Sequence, residues 1–144
     1  MDILKNSCVS IVSAMVLNGF ARLIRSEFLP KFLSDNLITL LIALLAINIT
    51  TLSVMMTKVS ELNKEKDSDF SRTISQMKLS ILEQCALIVI ALLLLITAGS
   101  ATLVASIPHC SFLLSTSLLA LLVYAVLILY DTANSVFILL NNKK

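Results

Sequence analysis

The stretch QCALIVIALLLLITAGSATLVASIPHCSFLLSTSLLALLVYAVLILY, residues 84–130, holds no charged side chain. Its one interruption is Pro108-His109. A helix rises 1.5 Å per residue and needs about 20 apolar residues to cross a hydrocarbon layer of roughly 30 Å. The run is therefore long enough for two crossings, and too long and too apolar for the core of a soluble domain of 144 residues. It reads as two spans, 79–106 and 111–130, forming an antiparallel hairpin about the uncharged turn 106–110.

Upstream, residues 36–57 are also free of charge and supply a further span. The charge-free stretch 6–21 is shorter and carries Ser7, Ser10, Ser13, Asn18 and Gly19. It reads as a span over 7–24, an uncleaved signal anchor following Lys5, with Arg22 and Arg25 snorkelling at its far end. An interfacial helix is the competing reading. After it, Phe20, Leu23, Ile24, Phe28, Leu29 and Phe32 alternate with Arg22, Arg25, Glu27 and Lys31, an amphipathic stretch suited to headgroups that Pro30 should break or bend.

Composition agrees. Hydrophobic residues make up 58% and charged residues 14%, with mean hydropathy +0.96; soluble domains carry about 25% charge. Two Gly and two Pro leave little room for barrel turns or linkers. The net charge of +2 does not suggest nucleic-acid binding. Cys8, Cys85 and Cys110 are far apart, without a C-x-x-C pair, and read as small apolar residues, Cys110 alone being placed to meet an oxidising compartment. The expected fold is an all-α integral membrane protein, a single bundle of four transmembrane helices.

Orientation follows from the basic residues. With four spans, Lys5, Lys58, Lys64, Lys66, Arg72, Lys78, Lys143 and Lys144 share one side, and Arg22, Arg25 and Lys31 the other. The positive-inside bias places both termini and the central loop in the cytoplasm. If segment one does not cross, the central loop still faces inward. The compact, loop-poor build suits a bacterial inner membrane.

The central loop, 58–83, carries most of the information not written for lipid. Leu52, Met55, Met56, Val59 and Leu62 recur at helical spacing out of segment two; Phe70, Ile74, Met77, Ile81 and Cys85 do so into segment three. Helices two and three are expected to extend into a cytoplasmic antiparallel hairpin, turning at 64–69. Its polar surface, Lys58, Glu61, Lys64, Lys66, Arg72 and Gln76, is the candidate contact for a cytosolic protein; a plain connector is the alternative. A tail, 132–144, follows segment four.

Candidate chemistry is sparse. Asp131 is the acid that can fall within a span, and is read as an interfacial carboxylate, since mid-bilayer burial costs several kcal/mol. Asn18 and Asn48 lie inside apolar runs and are read as interhelical glue, or else as pore-lining groups of an oligomer. Thr97, Ala101 and Ala105 offer a small-residue face that Ser111, Ser115, Thr116 and Ser117 can meet. His109 has no nearby partner in sequence, and no catalytic triad, H-E-x-x-H or P-loop pattern occurs. No cofactor or metal is expected, and no enzymatic activity.

Size, four spans and the lack of a catalytic motif make the layout similar to the membrane subunit of the Kiwa phage-defence system. The resemblance covers layout alone, so no residue is carried over from it. It implies a membrane-bound, oligomeric sensor that signals to a cytosolic DNA-binding partner. The functional expectation is a homo-oligomeric scaffold or sensor recruiting a soluble partner through the hairpin. A small channel or pore-forming effector is the second reading, and a proton-coupled exporter the third.

Overall fold

The computed structural model describes residues 3–26, 28–66, 71–100 and 110–141, with side chains described over 4–26, 28–57, at 60, over 74–100 and over 111–135. The described chain is all-helical: α1 (Ile3–Leu23), α2 (Phe28–Lys66), α3 (Ser71–Ala98) and α4 (Cys110–Asn141). All four are long and apolar enough to cross a membrane, over Leu4–Leu23, Phe28–Thr57, Ile74–Ala98 and Ser111–Ser135.

The helices run up, down, up, down. Asn6 meets Asp131 and Asn18 meets Thr116, so α1 and α4 are antiparallel. Asn48 meets Gln84, which sets α2 against α3. Helix α4 packs against each of the other three, α2 and α3 also pack together, and α1 rests chiefly on α4. The start of α1, the end of α2, the start of α3 and the end of α4 therefore share one end of the bundle.

The seams follow helical spacing. On α1 the buried positions are Ser10, Ala14, Asn18 and Ala21; on α3 they are Met77, Ser80, Gln84, Leu87 and Ala91. Alternating steps of three and four keep one stripe facing the neighbouring helix. Ala14 and Ala91 are fully buried, where a side chain no larger than a methyl lets helices pack closely. Leu33, Leu37 and Leu41 of α2 fill the space against Leu118, Leu119 and Ile128 of α4.

The outer faces are apolar. Val12, Val16 and Phe20 of α1, Leu82, Val89, Leu93 and Ile96 of α3, and Leu113 of α4 are all exposed, while Asn18, Asn48, Ser80, Gln84, Thr116 and Thr132 are buried. A water-soluble bundle shows the reverse, with apolar stripes inside and polar faces out.

Several expectations shift. The amphipathic stretch around Pro30 is not continuous, and Pro30 does not interrupt a helix. The break falls earlier, where Ser26 N–H donates to Ala21 O (2.9 Å) and Arg25 N–H to Arg22 O (3.0 Å), a Schellman closure with Arg25 at φ 53°. Ser26 Oγ then accepts the Phe28 N–H (3.3 Å) and caps α2. Pro30 sits in the first turn, where no amide hydrogen is required of it. Helix α3 ends at Ala98, where Ser100 N–H tightens onto Thr97 O (3.2 Å), and residues 101–106 of the expected span lie outside the described residues. Helix α4 runs past 130 to Asn141.

The packing stripe of α3 is also rotated from the expected one. Met77 is buried, but Ile74 and Ile81 are half-buried and Cys85 is exposed. Ser80 and Gln84 take the inward positions because both reach Asn48. On α2, Leu52 and Met55 are buried as the spacing predicts, whereas Met56 points outward.

Candidate functional site

Polar side chains gather at the end of the bundle that holds the start of α1. Here α4 passes from its apolar run into Asp131, Thr132, Asn134 and Ser135, and α1 supplies Lys5 and Asn6. With Leu52 and Met55 of α2 and Gln76, Met77 and Ser80 of α3, they line a chamber of about 350 Å³. One wall is apolar, formed by Leu52, Met55 and Met77, which pack as a small cluster with Ile81. The opposite wall is amide, hydroxyl and carboxylate.

Asp131 is half-buried, and its Oδ2 accepts a hydrogen bond from Asn6 Nδ2 at 2.8 Å. The contact ties the first turns of α1 to the late turns of α4. Next to it, Ser80 Oγ and Thr132 Oγ1 lie 3.5 Å apart, and Thr132 Oγ1 donates to Ile128 O at 3.0 Å. Ser80 Oγ also accepts from Asn48 Nδ2 (3.1 Å), which donates to Gln84 Oε1 (3.0 Å) as well. Asn48 is wholly buried and Gln84 nearly so. The Asn48 amide thus joins α2 to α3, and the Ser80–Thr132 hydroxyl pair carries the contact on to the last helix.

The cluster is not saturated. Asn48 Oδ1 and Gln84 Nε2 are buried without a hydrogen-bond partner among the described residues, as are both carboxylate oxygens of Glu83. A buried orphan of this kind costs about 1–3 kcal/mol, more when charged. Glu83 is the residue before Gln84 on α3, so two carboxylates belong to this end: Asp131, which accepts from an amide, and Glu83, whose oxygens have no hydrogen-bond partner among the described residues.

The other end is built differently. Asn18 is buried on α1, and its Nδ2 faces Thr116 Oγ1 (2.7 Å), Ser115 Oγ (3.0 Å) and Phe112 O (3.3 Å) of α4. Thr116 and Ser115 also donate back to their own helix, to Phe112 O and Ser111 O. One turn beyond Asn18, the Arg22 guanidinium stands 4.5 Å over the Phe112 ring.

The structure thus brings Asp131 and Gln76 into one chamber, with Asn48 one hydrogen bond away through Ser80. Asn18 lies at the far end of the same α4. The side chains of Lys58, Glu61, Lys64, Lys66 and Arg72 lie outside the described residues, on the last turns of α2 and the first of α3. So do residues 67–70, Ala101, Ala105 and His109, and the chain beyond 141, while 64–66 of the expected turn belong to α2. Thr97 is exposed and bonds its own helix at Leu94 O (2.7 Å).

Sequence reasoning named Asn48 and Asp131 but not Asn6, Ser80, Gln84 or Thr132. Ser80 and Gln84 are four residues apart on one face, and that spacing was the available signal. Chemically the chamber offers one amide-held carboxylate, one exposed ammonium and a polarisable methionine wall. It can seat a polar or cationic group, and among the described residues no cluster of three His, Cys, Asp or Glu exists to hold a metal. Comparison of the chain with protein-family profiles, with curated proteins and with solved structures returns no match.

Proposed function

We propose that the chain is a non-enzymatic, homo-oligomeric membrane subunit that recruits a cytosolic protein through the extended ends of α2 and α3. The observation that supports this most is the length of α2. It runs without interruption for 39 residues, about 58 Å at 1.5 Å per residue, against a hydrocarbon thickness of roughly 30 Å. Its apolar segment stops at Thr57, and the helix continues to Lys66. Helix α3 starts at Ser71, well ahead of the charge-free run that opens at Gln84. Two antiparallel helices prolonged past lipid make a rigid arm, and a rigid arm spends less ordering entropy on a partner than a loop does.

Insertion follows from the inverted surface. Large apolar side chains exposed on every helix, such as Val16, Ile42, Val89 and Leu113, would form an apolar surface of a size soluble monomers rarely show. In lipid the same side chains are at home, and the buried amides and hydroxyls supply interhelical bonds. The lysine and arginine bias puts both termini and the arm in the cytoplasm, and the membrane is a bacterial inner membrane on this reading. Antiphage defence is the setting that the resemblance in layout implies.

The test is charge reversal of Lys58, Lys64, Lys66 and Arg72 to Glu. Recruitment of the partner should fall at least tenfold while membrane insertion is unchanged; undiminished recruitment removes the arm as the docking surface. The chamber favours a second reading, an ion path or proton-coupled exporter using Asp131 and Glu83. Purified protein in liposomes would then conduct ions or protons, and Asp131→Asn would change the flux. Impermeable liposomes would sink that reading.

A further inference from the structure

Opposite the polar chamber, Arg22, Arg25, Ser26, Pro30, Lys31 and Ser111 line a cleft of about 570 Å³. Three of these six side chains are cationic and none is acidic. They come from three helices and the bend: Arg22 from the last turn of α1, Arg25 and Ser26 from the turn, Pro30 and Lys31 from the first turn of α2, and Ser111 from the start of α4. Helix α2 begins here after the bend, its start capped by Ser26 Oγ and preceded in sequence by Glu27. That helix start adds a partial positive charge of about +0.5 to the three formal ones. The cleft is therefore a concentrated positive site at the edge of the apolar segments, Leu4–Leu23, Phe28–Thr57 and Ser111–Ser135.

Two features show that the charges are arranged rather than scattered. Arg22 is held in place over the Phe112 ring at 4.5 Å. Arg25 takes a left-handed backbone conformation, φ 53°, at a position where Gly is the easy choice. Topology gives no reason for these cations, since the proposed orientation puts this end outside, where Lys and Arg are disfavoured. Phe20 and Phe28, each two residues in sequence from a lining residue, are exposed and could meet an acyl chain.

We propose that this cleft binds a phosphate oxyanion at the membrane boundary, as the headgroup phosphate of an anionic phospholipid or as a free phosphate. Guanidinium forks match phosphate oxygens bidentately, and a helix start presents N–H groups to the same anion. The volume lies within the range of small-ligand sites, roughly 300–1,000 Å³. The inference stands apart from partner recruitment, which is placed at the other end of the bundle.

The experiment uses the purified full chain in neutral detergent, probed by native mass spectrometry and thermal unfolding. The arms are phosphatidylglycerol, phosphatidylcholine and inorganic phosphate. Retention of phosphatidylglycerol over phosphatidylcholine by tenfold or more, with a rise in Tm, identifies a lipid site. The same rise in Tm with inorganic phosphate alone identifies free phosphate as the sufficient ligand. The triple variant Arg22→Gln, Arg25→Gln, Lys31→Gln should lose the preference, and Lys5→Gln at the far end should keep it. Should the triple variant misfold, Lys31→Gln alone, an exposed side chain, should lower retention about threefold. Equal retention of both lipids with no phosphate effect overturns the proposal, as does equal loss in Lys5→Gln.

Discussion

The two ends of this bundle solve the same problem with opposite chemistry. At one end α1 is tied to α4 by an amide on a carboxylate, Asn6 on Asp131, beside the chamber and the Asn48 cluster. At the other, α1 is tied to α4 by an amide on hydroxyls, Asn18 on Thr116 and Ser115, capped by Arg22 on Phe112. Along α4 these ties are 19 residues apart, from Phe112 to Asp131, or about 28 Å, close to the thickness of a hydrocarbon layer. On the proposed membrane reading, polar groups mark both boundaries. The difference lies in satisfaction. The Asn18 end leaves no described buried atom orphaned, whereas the Asp131 end leaves Asn48 Oδ1, Gln84 Nε2 and both Glu83 oxygens without partners. An unsatisfied end is the one with capacity for something else, and it is the end from which the proposed α2–α3 arm would depart.

The largest effect expected from breaking this contrast is on recruitment. Charge reversal along the arm should remove the partner, while Arg22→Gln, Arg25→Gln, Lys31→Gln at the opposite end should leave it bound. Equal loss from both sets would mean that the ends are not functionally distinct.

Stability should separate the ends next. Asn48→Leu strands Gln84, whose Oε1 then joins its Nε2 without a partner, and should cost about 1.5–3 kcal/mol. Adding Gln84→Leu should return most of that, because two apolar groups replace two mutually dependent polar ones. Unfolding in detergent micelles measures both, and a double variant less stable than Asn48→Leu would contradict the reading of the cluster. Asn18→Leu should cost less, about 0.5–1.5 kcal/mol, since Thr116 and Ser115 keep their own backbone acceptors. A cost above that of Asn48→Leu would reverse the comparison.

The smallest effect is at the bend. Arg25→Gly relieves a left-handed conformation and should stabilise the protein by about 0.5–1 kcal/mol, while weakening retention of phosphatidylglycerol. Stability and lipid retention moving in opposite directions in one variant would sharpen the assignment of Arg25 to ligand rather than fold.

Four helices of membrane length were legible in the sequence because continuous apolar runs need no tertiary context to be recognised. The end of α3 was less so. Counting charges passes smoothly from 84 to 130, while the end at Ala98 is marked by Ser100 N–H tightening onto Thr97 O. Pro30 misled for the converse reason: its effect depends on where the helix begins, and a Schellman turn at Arg25 made it a first-turn residue. The rotated seam of α3 could not be read from hydrophobicity. When apolar side chains have lipid to face, the polar ones decide which face turns inward, and Ser80 and Gln84 turn inward because of Asn48, a residue 32 positions from the first of them. Asp131 stood out as a carboxylate after an apolar run, but Asn6 as its partner is a fact of antiparallel packing across 125 residues.

The most direct measurement is a mild-detergent pull-down of the tagged protein from its native cell, with native mass on the eluate, run beside the arm variant Lys58→Glu, Lys64→Glu, Lys66→Glu, Arg72→Glu. The account predicts a homo-oligomer carrying a stoichiometric soluble protein that the arm variant no longer retains. A homo-oligomer with nothing attached, or a partner kept by the arm variant, would contradict it.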